Sequence, residues 1–127
     1  MTKVSMSHEE YLEAIVKLGG TTSDAIRSVD VANELNVSKA SVSKAISSLR
    51  EAGMLDQPYY GDITLTEAGY AYGAALLKRE RMLERFLIEK IGLSEEEAEE
   101  EACHIEHCIS DEAFEKWLAF FDSLGIK

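Results

Sequence analysis

Four side chains able to donate a lone pair to a divalent metal fall on one predicted helical face: Glu99, Cys103, Glu106 and His107. From Glu99 the other three lie four, seven and eight residues on, which is about one and two turns of a helix with roughly 3.6 residues per turn. Carboxylate, thiolate and imidazole together form a mixed oxygen, sulfur and nitrogen donor set, the chemistry that holds first-row transition ions. The neighbouring Glu95, Glu96, Glu97 and Glu100 read as a solvated helix start, since carboxylates favour the positive end of the helix dipole. Cys108 reads as a small buried hydrophobe. Two more acidic pairs stand apart, Glu10 with Glu13 and Glu80 with Glu84. Their plain reading is surface ion pairing, for example Glu84 with Arg81. Hydrolytic chemistry is not expected. The string His104-Ile105-Glu106-His107 lacks the His-Glu-x-x-His order that sets a general base beside zinc, and no nucleophile-base constellation or phosphate loop occurs elsewhere.

The elements that position these groups read as a row of helices with one short interruption of strand. Tyr11, Leu12, Ile15, Val16 and Leu18 recur at helical spacing and Gly19-Gly20 ends that helix. Ser28 is the expected cap of a short helix with Val31, Ala32 and Leu35 inward; Asn36-Val37 turns the chain, and Ser38 caps a second helix carrying Val42, Ile46 and Leu49. Two short helices about a tight turn make a helix-turn-helix. The runs 54–60 and 62–66 flank Gly61 and favour an extended hairpin, the wing of a winged helix. Thr66 opens a long helix expected to close at Gly92, Ser94 with Glu97 forms a capping-box signature, and Ser110 opens a last helix. Phe114, Trp117, Leu118, Phe121 and Leu124 on that last helix make an apolar stripe suited to a subunit interface. The expected fold class is mainly α. A winged helix-turn-helix DNA-binding domain over 1–70 is followed by a helical metal-binding and dimerisation domain over 71–127.

A chain of 127 residues with 46% hydrophobic content can bury a core without staples. No apolar run reaches the roughly 18 residues of a membrane span and the first residues lack the apolar core of a secretion signal, so a cytoplasmic protein is expected. Cys103 and Cys108 point in different directions on a helix and read as thiols. The net charge of −11 opposes a polyanionic partner, but its distribution does not. Residues 1–60 hold six basic and eight acidic side chains, against seven and sixteen in 61–127. Between 25 and 50, Arg27, Lys39, Lys44 and Arg50 outnumber Asp30 and Glu34. With Val42, Ile46 and Leu49 inward, Ser38, Lys39, Ala40, Ser41, Ser43 and Lys44 face outward as candidate DNA contacts, the serines to phosphate or water, Ala40 to a thymine methyl, Lys44 to a guanine edge or phosphate. Arg27 and wing residue Tyr60 are candidate backbone contacts.

The stretch 101–112, with its Cys-x-x-Glu-His-x-x-Ser-Asp string, resembles the metal-site helix of the diphtheria toxin repressor and manganese transport regulator family of metal-dependent transcriptional repressors. Glu10-Tyr11-Leu12-Glu13-Ala14-Ile15 resembles that family's first helix, Val37–Ser43 its recognition helix, and Lys78–Leu87 the start of its dimerisation region. The resemblance implies metal ligands at Glu10, Glu13, Glu80, Glu84, Glu99, Cys103, Glu106 and His107, and no Src-homology-3-like domain. The set is a hybrid. Glu10 stands where the iron-responsive branch has Met and the manganese-responsive branch Asp, Glu80 where both usually have His, and Glu99 where the iron branch has another His. The resemblance further implies Mn(II) or Fe(II) as co-repressor, one or two ions per subunit, a homodimer, a palindromic double-stranded operator and control of metal-homeostasis genes. With ligands in both domains, metal would lock them in one orientation and set the recognition helices about one DNA turn apart, roughly 34 to 36 Å. The alternative is a metal-independent winged-helix regulator sensing a small molecule or redox state.

Overall fold

The computed structural model describes residues 4–59 and 62–126. The chain divides into two compact units, Met1–Leu77 and Lys78–Lys127, and the division falls inside one helix.

The first unit opens with α1 (Met6–Lys17), whose cap Ser5 accepts a hydrogen bond from the His8 amide at 3.2 Å. Gly19, at φ 100°, ends it in the left-handed region that glycine enters without steric cost. Strand β1 (Ile26–Arg27) leads directly into α2 (Ser28–Leu35). The sequence places the cap at Ser28, but the helix already includes Ser28, and Arg27 holds the cap position with no side-chain capping bond. Pairing of Ile26 with Ile63 and of Arg27 with Asp62 accounts for the shift, since it holds Arg27 extended at φ −80°, ψ 142°. Asn36 then turns the chain at φ 54°, ψ 50°, a left-handed conformation that asparagine tolerates better than most residues. Helix α3 (Lys39–Glu51) follows, capped by Ser38. Leu12, Ile15, Val31, Val42, Ile46, Leu49, Ile63 and Leu65 form the buried centre of this unit.

Strands β2 (Leu55–Tyr59) and β3 (Asp62–Leu65) pair antiparallel with Leu55 opposite Leu65, and the sheet runs in the order β1-β3-β2. The register is irregular between Asp56 and Tyr59, where Pro58 has no amide hydrogen to give the ladder. The two strands of the wing are therefore in place; its Tyr60 and Gly61 lie outside the described residues. The two-residue β1 shows no alternation in the sequence, and only its partner β3 makes it a strand.

Helix α4 (Glu67–Phe86) begins at Thr66, whose hydroxyl accepts from the Gly69 amide at 3.1 Å and donates to the Gly53 carbonyl at 2.6 Å. The first turn of α4 is thereby drawn onto the turn preceding β2. A Cβ at Gly69 would sit 1.9 Å from the Met54 carbonyl oxygen, so only glycine permits this approach. Further along, Gly73 lies against Leu12 and Val16 of α1.

The second unit holds the rest of α4, a π-helical turn (Leu87–Ile91), α5 (Glu95–Glu106) and α6 (Asp111–Ser123). The sequence reads one long helix to Gly92. The structure keeps that endpoint, with Gly92 at φ 87°, but winds the last turn wide. Met82, Leu83, Leu87, Ala98, Ala102, Phe114, Phe121 and Ile126 make a second core. Phe121 lies 5.1 Å from Phe86 and 6.4 Å from Phe114, ring centre to ring centre. Helix α5 has the complete capping box: the Glu97 amide donates to Ser94 Oγ and the Ser94 amide to Glu97 Oε1, both at 3.1 Å. The bond from the Ser94 amide holds the Glu97 carboxyl below its ordinary value. No helix of the described residues is long and apolar enough to cross a membrane.

Two outcomes follow for stability. Gly69→Ala is expected to cost about 1–3 kcal/mol, as overpacking against backbone does, read as a lower denaturation midpoint with unchanged slope. The Glu97 carboxyl, with its folded value lowered, stabilises above the ordinary glutamate range and loses that contribution as the pH falls through its folded value. Glu97→Ala, which removes the carboxylate that accepts from the Ser94 amide, should therefore lower the melting temperature at neutral pH, and its gap from wild type should narrow in acid. A gap that is constant across the acid titration would show that Glu97 takes no part.

Candidate metal centre

Helix α5 ends where its chemistry begins. Its buried face is built from Ala98, Ala102 and Glu106, the two alanines bringing the helix close to the second core. Glu106 is the last helical residue and His107 its C-terminal cap, at φ −83°, ψ −10°. The Glu106 side chain is 0% exposed and the His107 imidazole 1%, with Nε2 3.2 Å from Glu106 Oε1. Neither Glu106 carboxylate oxygen accepts a hydrogen bond among the described residues. The half-buried Cys103 stands one turn earlier, and its Sγ lies within 4.8 Å of a His107 ring nitrogen.

This arrangement fits a divalent ion. A buried carboxylate normally recruits donors, because an uncompensated charge in the interior costs several kcal/mol. Here it faces the His107 imidazole, whose Nε2 can serve either as a donor to it or as a fellow ligand. Two donors bonded to one ion at about 2.1 Å lie roughly 3.0 to 3.4 Å apart at octahedral or tetrahedral angles, a range that includes the observed 3.2 Å. Cys103, Glu106 and His107 thus present a thiol, a carboxylate and an imidazole from one and a half turns of a single helix.

The other residues named from the sequence are distributed as follows. On α4, Glu80 is buried at 6% exposure and Glu84, one turn on, is half-buried. Glu99 is exposed, one turn before Cys103. Cys108, expected in a core, is exposed, because it lies past the α5 cap in the turn toward α6. In the first unit α1 carries Glu9 and Glu13 buried, with Glu10 between them. Glu9 Oε2 accepts a 2.6 Å hydrogen bond from the Tyr72 hydroxyl, which in turn is 3.4 Å from the Val4 amide. Glu9 and Tyr72 were not singled out by the sequence, where Glu9-Glu10 is one acidic doublet and Tyr72 one of several apolar positions.

The recognition-helix candidates Lys39, Ala40, Ser41, Ser43 and Lys44 are all exposed, opposite the buried Val42, Ala45, Ile46 and Leu49. The Ser38 hydroxyl is committed to the helix, accepting from the Ser41 amide at 3.1 Å and donating to the Ser41 hydroxyl at 2.9 Å. Exposed Arg27 pairs with Asp30 at 3.3 Å. Tyr60 lies outside the described residues.

A further arginine is drawn into the centre. Arg79 of α4 donates through Nη1 to the carbonyls of Glu106 at 3.1 Å and Ile109 at 2.9 Å, and through Nη2 to Asp111 at 2.8 Å. Its guanidinium carbon lies 4.4 Å from the centre of the Phe114 ring. In the sequence it lies within Lys78–Leu87, the stretch resembling the start of a dimerisation region, and is not singled out there.

Residues 3–62 match the family described as iron dependent repressor, N-terminal DNA binding domain, and residues 66–125 match iron dependent repressor, metal binding and dimerisation domain. An uncharacterised helix-turn-helix-type transcriptional regulator of Methanocaldococcus jannaschii is 35% identical over 125 residues, covering 98% of this chain and 99% of that protein. The iron-dependent repressor IdeR of Mycobacterium tuberculosis is 32% identical over 112 residues, which is 88% of this chain and 48% of IdeR. A solved manganese-dependent transcriptional repressor in complex with manganese superposes with a TM-score of 0.78 at 30% identity, over 94% of this chain and 53% of that one. The chain spans about half the length of these last two relatives. With both domain types matched in order and a donor set fitted to a divalent ion at the end of α5, the chain belongs to the iron-dependent repressor family.

Proposed function

We propose that this protein is a transcriptional repressor that binds its DNA operator only when loaded with a divalent transition metal, Mn(II) or Fe(II). The observation that carries the reading is the fully buried Glu106 carboxylate, which faces His107 Nε2 at 3.2 Å and accepts no hydrogen bond among the described residues. Cys103, Glu106 and His107 hold the ion in this reading, joined by Glu80 and Glu84 of α4, by Glu99, and by Glu10 and Glu13 of α1. When bound, the ion supplies the positive charge that lets carboxylates and a thiolate share one site. A second ion per subunit would take the more oxygen-rich of these ligands. Oxygen donors suit Mn(II) and Fe(II), while the Cys103 thiolate favours Fe(II) over Mn(II).

The protein's own residues do the remaining work. Lys39, Ala40, Ser41, Ser43 and Lys44 present an exposed face on α3 for the major groove, with Lys39 and Lys44 supplying phosphate attraction in a chain of otherwise acidic balance. Ser38 serves the groove through its cap geometry and Arg27 through the DNA backbone. Of the α6 stripe expected at a subunit interface, Phe114 and Phe121 lie in the second core; Trp117 with Phe120, the latter 54% exposed, and Ile88 with Ile91 suit a homodimer interface. A two-fold dimer would read a palindromic operator of metal-homeostasis genes. The protein acts by binding and not by catalysis, in the cytoplasm.

Two measurements test this reading. Duplexes selected from a random pool by the full chain with Mn(II) or Fe(II) should lose at least tenfold in affinity when a chelator is added, and Glu106→Gln should bind them weakly under both conditions while keeping its helical circular dichroism. Equal affinity with and without chelator would sink the proposal. On the same duplexes, Lys44→Ala should weaken binding and reduce the salt slope by about one ion; an unchanged slope removes Lys44 from the phosphate contacts.

A further inference from the structure

The metal-ligand pair at the end of α5 shares one peptide group. The carbonyl of Glu106 and the amide of His107 lie in one plane, because the peptide bond resists rotation. The two Cα atoms that flank that plane carry the two ligand side chains. Whatever fixes the plane therefore aims both. This carbonyl is one of those an α-helix leaves unsatisfied at its C-terminal end, and it receives an Arg79 hydrogen bond at 3.1 Å.

We propose that Arg79 is a positioning residue of the metal centre, holding the Glu106–His107 peptide plane so that both side chains are presented as ligands before any ion arrives. Four observations carry this. Nη1 bridges two carbonyls, Glu106 and Ile109, on either side of the turn that ends α5. Nη2 ties the same guanidinium to Asp111, the first residue of α6. The Phe114 ring lies 4.4 Å from the guanidinium carbon and covers one face of the fork, and the side chain is only 14% exposed. Finally, Arg79 precedes the buried Glu80 on α4, so the helix that braces α5 also carries a candidate ligand. A planar fork with donors in fixed directions suits this task, and its positive charge is favourable at a helix C-terminus. Cys103 lies a turn earlier, and its peptide group is not among those Arg79 contacts.

The inference rests on the metal reading above, and the test separates the two. The probe is Co(II) added anaerobically to the full chain, read by two signals. Thiolate-to-cobalt charge-transfer absorption reports Cys103, and the ligand-field bands report the whole coordination geometry. Arg79→Lys keeps the charge and most of the stem but replaces the fork with one ammonium. Arg79→Gln removes the charge as well. Loss of a group that orients a ligand typically weakens metal binding about 10- to 100-fold, so Arg79→Lys should fall near the lower figure and Arg79→Gln near the upper. Both should keep the thiolate band, show altered ligand-field bands, and in Arg79→Lys retain a melting temperature within a few degrees of wild type in the absence of metal. A merely structural role would shift the melting temperature and leave the spectrum as it was. Wild-type affinity and an unaltered spectrum in Arg79→Lys overturn the inference, whether or not Arg79→Gln folds. A wild-type chain that binds no cobalt overturns the metal reading itself, and this inference with it.

Discussion

The Glu106 carboxylate has no exposed surface and accepts no hydrogen bond among the described residues, yet it is held 3.2 Å from an imidazole nitrogen of equally low exposure. An interior carboxylate of this kind carries a desolvation cost of several kcal/mol unless a charge or donors offset it. The elements around it are tied down by local contacts. Ala98 and Ala102 hold α5 against the second core, the capping box fixes its start, and Arg79 fixes its end. The result is a helix held at both ends, with the Glu106 carboxylate buried beside His107.

The same logic runs through the first unit with a different outcome. There the buried Glu9 is answered by the Tyr72 hydroxyl at 2.6 Å, so α1 and the start of α4 are joined by a satisfied polar contact. Gly73 lets those helices approach, and Gly69 with Thr66 seats α4 on the turn before β2. Close packing at glycine and a capped start leave α4 little freedom at its origin. The winged helix is thereby a firm support for the exposed face of α3, with β1 stitched to the wing through Ile63 and Asp62.

Charge also divides by task. The acidic excess lies in residues 61–127, much of it in the exposed first turns of α5, where it favours the helix dipole, while the α3 region remains locally basic. A net charge of −11 therefore does not describe the surface that a nucleic acid would meet. The candidate metal ligands and the basic positions of α3 lie on separate elements, so their electrostatics are set separately.

The helices of both units and the winged helix-turn-helix were legible in the sequence because they rest on local signals. Periodicity marks α1, α3 and α6, serine caps mark α3, α5 and α6, and glycine marks the stops at Gly19 and Gly92. Cys103, Glu106 and His107 were legible for the same reason, since a single helix sets their spacing. What tertiary structure alone decided depends on partners distant in the chain. β1 is a strand only because β3 lies beside it, and that pairing moved the start of α2 from the expected cap. Nothing in the sequence singles out Arg79; α5 and α6 bring two carbonyls, a carboxylate and an aromatic ring around it. Glu9 reads like its neighbour Glu10 until Tyr72 arrives from 63 residues away. Local spacing names the side chains that can do chemistry; burial and long-range contact determine which are held still enough to do it.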